Sequence, residues 1–66
     1  MQLTINGEIL EFNAPMTVGE LLDEMGLRGR FVAVERNRDV ISFKKYDEVA
    51  LENGDQIEIV TLVGGG

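Results

Sequence analysis

Apolar and polar residues alternate near both ends of the chain, and one run between them has helical spacing. At the start, MQLTINGEILEF contains Asn6-Gly7, a pair suited to the positive φ angles of a two-residue hairpin turn. Such a turn sets Ile5 opposite Glu8, Leu3 opposite Leu10 and Met1 opposite Phe12, and opposed residues share one face of a sheet. Met1, Leu3, Leu10 and Phe12 then form an apolar face, with Gln2, Thr4 and Glu11 on the other. The register required by the turn coincides with the register required by hydrophobicity.

The run APMTVGELLDEMG predicts a short helix. Thr17 suits the N-cap, and Glu20 three residues on completes a capping box. Val18, Leu21, Leu22 and Met25 recur at the spacing of one helix face. Gly26 is placed to end the helix in a left-handed turn. Gly19 falls in the first turn, where a glycine does least damage.

RFVAVERNRDVISF predicts a second strand pair, with Val32 and Val34 alternating with Ala33 and Glu35. Asn37-Arg38-Asp39 would make its turn, and Val40 to Phe43 would return. KKYDEVAL predicts a short helical turn around Tyr46 and Asp47, with Val49 and Leu51 against the core. A turn at Asn53-Gly54-Asp55 then leads into a last strand from Gln56 to about Val63. The order is strand, strand, helix, strand, strand, strand. It implies an α+β fold of the β-grasp, ubiquitin-like type: a mixed sheet of four to five strands with one main helix packed on one face. The expected organisation is a single domain over 1–63 and a glycine tail over 64–66.

The last strand breaks its own pattern. Ile57 and Ile59 should point inward, and the same phase turns Thr61 inward but Val60 and Leu62 outward. Two readings stand. A loop covers the strand end, or a bulge shifts its phase; or Val60 and Leu62 form part of a surface that docks a partner beside the tail.

Composition narrows the chemistry. The 66 residues include no Cys and no His, which argues against a zinc site, a disulfide or a thiolate nucleophile. Twelve acidic and six basic residues give a net charge of −6, which argues against nucleic acid as a partner. No stretch is apolar enough to cross a membrane, and MQLTING does not read as a secretion signal, so the cytoplasm is the expected compartment. Ser42 is the one serine and has no histidine to activate it. Asp23 and Glu24 read as solvated helix residues. Asp47 and Glu48 with Lys44 and Lys45 read as a mixed surface patch, in which a lysine either guides docking or is simply exposed.

What remains is TLVGGG at the end of the sequence. A glycine segment adopts nearly any φ/ψ and passes where a Cβ would clash. It can be inert, or it can thread a narrow channel and present the Gly66 carboxylate to another protein's active site. A carboxylate resists nucleophiles until it is activated, for instance as an acyl-adenylate made with ATP, and the activating groups would then belong to the partner.

MQLTINGE, TVGELLDEMGL, VAVERN and NGDQIEIVTLVGGG together resemble the ThiS-type sulfur carrier proteins of thiamin biosynthesis, over essentially the whole chain. The resemblance departs at Asn37-Arg38-Asp39, where many relatives have an Asn-Gly turn, and at Tyr46, near which many carry a tryptophan. It implies a carrier that is itself no enzyme and binds no cofactor or metal. An E1-like, ThiF-type adenylyltransferase would adenylate Gly66 using ATP and Mg. A persulfide supplied through a cysteine desulfurase would convert the adenylate to a thiocarboxylate. A ThiG-type thiazole synthase would receive the sulfur. Gly65 and Gly66 match the family's diglycine, and Gly64 and Gly65 would serve as the neck. Three rivals are the molybdopterin synthase small subunit, a ubiquitin-like modifier joined to lysines through Gly66, and a binding domain with an inert tail.

Overall fold

A computed structural model describes residues 1–13 and 15–62 of the chain. The first hairpin joins β1 (Gln2–Ile5) to β2 (Glu8–Glu11) in the expected register, Leu3 against Leu10 and Ile5 against Glu8. Asn6 and Gly7 take φ of 50° and 83°, the left-handed values that this turn requires.

Helix α1 spans Val18–Glu24. The Thr17 side chain accepts from the Glu20 N–H while the Glu20 carboxylate accepts from the Thr17 N–H, which completes the capping box. The next two donors are met from elsewhere: the N–H groups of Val18 and Gly19 donate to the carbonyls of Val49 and Tyr46. The segment after residue 43 thus caps the helix, and its Leu51 N–H returns to the Met16 carbonyl. Val18, Leu21 and Leu22 are buried, but Met25 is exposed because the chain has already left helical geometry at that residue. Gly26 follows at φ 70° and turns the chain away.

β3 (Val32–Arg36) and β4 (Asp39–Ile41) form the second hairpin. Its turn is shorter than the sequence suggests. Asn37 and Arg38 alone occupy the left-handed region, and Asp39 already pairs with Arg36. The returning strand also stops early, at Ile41. Ser42 caps a 3-10 turn over Phe43–Lys45 with its hydroxyl, which accepts from the Lys44 N–H, so Phe43 leaves the strand phase. Val49 is half-buried and Leu51 buried, as expected.

β5 (Gln56–Thr61) runs through the middle of the sheet, whose order is β2-β1-β5-β3-β4. It pairs parallel with β1 and antiparallel with β3. Among the described residues this gives five strands in one mixed sheet, with one α-helix: a β-grasp. Leu3, Ile5, Val34, Ile57 and Ile59 meet Val18, Leu21 and Leu22 in the core, with Leu51 closing it. Each such side chain contributes about 1.5–3 kcal/mol on burial. Among the described residues no helix is long and apolar enough to cross a membrane.

The central strand is held by both hairpin turns. The Asn6 side chain accepts from the Ile59 N–H and donates to the Ile59 carbonyl, while Asn37 Oδ1 accepts from the Gln56 N–H. Asn37 Nδ2 also donates to Asp55, a carboxylate only 6% exposed, which further accepts from Arg36 Nε and the Glu52 N–H. Burial alone would raise the Asp55 pKa. These donors outweigh it and hold the carboxyl below its ordinary value.

Candidate functional site

The surface around the end of β5 is built by three chain segments that meet there. β3 begins beside it, β4 pairs with β3 on the far side, and the 3-10 turn follows β4. The Leu62 N–H donates to the Phe31 carbonyl at 2.8 Å, which extends the β3–β5 ladder one step past the strand. Val63, the expected neck residues Gly64 and Gly65, and Gly66 lie outside the described residues, as does the expected domain boundary at 63/64.

Val60 and Leu62 are both about half exposed, in agreement with the outward phase. Thr61, expected inward, is exposed as well, since the core ends at Ile59. Val60 lies opposite Ala33 in the sheet. Leu62 instead joins Arg30, Phe31, Val32, Phe43 and Tyr46 around an apolar hollow of about 430 Å³. Val60 and Leu62 thus lie on one sheet face, against Ala33 and Phe31 in turn, with the hollow at the Leu62 end.

Phe31 and Phe43 are 78% and 73% exposed at this hollow. Tyr46 stands behind them, its hydroxyl donating to the Val32 carbonyl at 3.2 Å. Burial raises the Tyr46 pKa. Sequence reasoning did not single out either phenylalanine. Alternation from Val32 does turn Phe31 outward, but Phe43 owes its exposure to the 3-10 turn that Ser42 begins.

Charge is unevenly used. Arg28 is gripped by Asp23 and Asp47, with nitrogen–oxygen distances of 2.8 and 2.9 Å. Its bonds to Asp23 lower the Asp23 pKa, and the two carboxylates together raise that of Arg28. Asp23 is thus an ion-pair partner; Lys44, Lys45, Asp47 and Glu48 are all exposed, as expected of a mixed surface patch, and Asp47 also pairs with Arg28. This pair lies over Gly19, where a Cβ would strike Asp47 Oδ1 and the Arg28 guanidinium. Arg36 is held by Asp55 and, at 3.9 Å, by Glu52. Arg30, Lys44 and Lys45 form no ion pair among the described residues.

On the sheet face away from the helix, Glu35 lies directly opposite Glu58, with Arg38 and Gln56 beside them. Among the described residues no cluster of three or more His, Cys, Asp or Glu could hold a metal ion. Ser42 is occupied as a cap. Among the described residues, the end of β5 presents an apolar hollow.

Comparison with known proteins gives this arrangement a family. The ThiS family model matches residues 3–66, a span that includes the final glycines. The sulfur carrier protein ThiS of Bacillus subtilis is 40% identical over 65 residues, covering 97% of this chain and 98% of that one. A thiazole synthase of Paramagnetospirillum magneticum is 50% identical over 66 residues, and the chain spans only 20% of that protein's length. The crystal structure of the thiamine biosynthesis protein ThiS from Geobacter metallireducens superposes with a TM-score of 0.86 at 30% identity, covering all of both chains. The chain belongs to the ThiS family.

Proposed function

We propose that the chain is a sulfur carrier that delivers sulfur for the thiazole ring of thiamin, with Gly66 as the residue that bears the sulfur. The observation that carries this reading is the family match extending through Gly64, Gly65 and Gly66. The near full-length similarity to a Bacillus subtilis protein named as a sulfur carrier supports it.

The chemistry begins with the Gly66 carboxylate attacking the α-phosphorus of ATP on an E1-like enzyme, with Mg as the counter-ion and pyrophosphate as the leaving group. The terminal sulfur of a persulfide, formed through a cysteine desulfurase, then displaces AMP from the acyl-adenylate. A thiol cleaves the resulting acyl disulfide and leaves the thiocarboxylate. Glycine suits this position because no side chain obstructs the carbonyl carbon. The chain is consumed and regenerated as a cosubstrate. Its body contributes recognition, and the partner enzymes contribute the reactive groups.

Thiazole synthase is the proposed acceptor. One thiazole synthase holds, within a single polypeptide, a segment similar to this entire chain, which supports an association between the two functions. The test is genetic. A bacterial strain lacking its own carrier for thiazole formation should grow without added thiazole when given this chain, and should fail when given the chain without Gly66. Growth restored equally by both would overturn the reading. Rescue only of a strain deficient in the molybdopterin synthase small subunit would redirect it to molybdenum cofactor.

A further inference from the structure

We infer that the hollow framed by Phe31, Phe43 and Leu62, with Arg30 on its wall, seats an apolar side chain bordered by carboxylates on the adenylating enzyme. The inference rests on the reading of Gly66 given above.

Covalent reach ties the Gly66 carbonyl to this end of the sheet. Four residues, Val63 to Gly66, follow Leu62. At about 3.3–3.6 Å per residue they place the Gly66 carbonyl carbon within about 14 Å of Leu62 whatever their conformation. An active site that closes on that carbon therefore has its entrance against this end of the sheet. The hollow is there, and Leu62 is part of its wall.

The surface itself has the character of a contact site. Phe31 and Phe43 expose 78% and 73% of their surface side by side, in a domain whose other aromatics, Phe12 and Tyr46, pack against the core. Exposed apolar clusters of this kind mark contact sites, and aromatic side chains supply most of the binding energy at them.

The surface also carries an unusual charge. The chain has twice as many acidic as basic residues, yet Arg30 lines the hollow, and Lys44 and Lys45 follow Phe43 on the same turn. The other cations of the helix-side surface, Arg28 and Arg36, are held by the chain's own carboxylates. Arg30, Lys44 and Lys45 form no such pair among the described residues, so an acidic border on the partner would meet three available cations.

The experiment is ATP–pyrophosphate exchange catalysed by the adenylating enzyme, with the 66-residue chain as the varied substrate. Phe31→Ser and Phe43→Ser should each raise the KM for the chain about tenfold with kcat nearly unchanged, the pattern of lost uniform binding. Arg30→Glu should raise KM and flatten its dependence on salt. Ile9→Ser, on the exposed outer strand, should leave KM unchanged. Circular dichroism checks that each variant is folded. Wild-type KM in folded Phe31→Ser and Phe43→Ser overturns the inference and leaves the reading of Gly66 intact. Loss of sulfur delivery to thiazole synthase with exchange unaffected also overturns it. Absence of exchange with the wild-type chain overturns the reading of Gly66, and this inference with it.

Discussion

Asn6 takes both backbone hydrogen-bonding groups of Ile59, accepting from its N–H at 2.8 Å and donating to its carbonyl at 3.1 Å. Where β1 has already turned away into its hairpin, a side chain continues the attachment of β1 to β5. The strand that leads to the glycines is thereby anchored beyond its backbone ladder with β1.

Asn6→Ala removes both bonds and places a β-carbon residue without side-chain compensation at φ 50°. A loss of about 2 kcal/mol in unfolding free energy is expected from two hydrogen bonds at about 1 kcal/mol each. Urea unfolding measures it directly. Asn6→Asp should fare better than alanine, because it keeps the acceptor for the Ile59 N–H.

Much of this fold is legible in the sequence, for identifiable reasons. The register of the first hairpin follows from Asn6-Gly7 and the spacing of Leu3 and Leu10, and the capping box from Thr17 and Glu20. Each is a local rule whose partners are near in sequence. What escaped were long-range side-chain contacts. That Asn6 grips Ile59, that Asp47 reaches Arg28 over Gly19, and that Asp55 gathers Arg36 and Asn37 depend on how separate elements pack. Phe43 was misplaced because Ser42 can continue a strand or cap a turn. At the site, alternation in β5 turned Val60 and Leu62 outward, as their half-exposure shows, but only packing brings Leu62 together with Phe31 and Phe43.

Gly19 illustrates one such contact. Alanine at this helix position would ordinarily stabilise by up to about 1 kcal/mol. Here its Cβ would displace the Arg28–Asp47 pair. That pair is exposed to solvent and contributes little, and both side-chain ends can move, so Gly19→Ala should leave the thermal midpoint nearly unchanged. In an Asp47→Ser background the same substitution should raise it. A double-mutant cycle of thermal midpoints checks the coupling.

Asp55 makes stability depend on pH in a defined direction. Its pKa is lowered in the folded chain, so its contribution is present above the ordinary carboxylate value of about 3.9 and is lost as pH falls through the folded value. At neutral pH Asp55→Asn should cost about 2 kcal/mol, through weakened charge-assisted bonds from Arg36 and the Glu52 N–H. The gap between wild type and Asp55→Asn should narrow as pH is lowered below about 4. Unfolding curves at a series of pH values would show it.

Leu62 is half exposed and lies past the end of β5. Leu62→Asp should therefore change folding stability by no more than about 0.5 kcal/mol. The same substitution places a charge in the apolar hollow, and it should weaken binding to the adenylating enzyme. Isothermal titration of the enzyme with the variant measures this; unchanged affinity would remove Leu62 from the contact.

The central claim is that Gly66 carries the sulfur. Incubating the chain with ATP, Mg, its adenylating enzyme and a persulfide source, followed by intact-mass measurement and fragmentation, tests it most directly. The expected result is the exchange of one oxygen for one sulfur, localised to Gly66. An unchanged mass with an enzyme that activates another ThiS protein under the same conditions would contradict it.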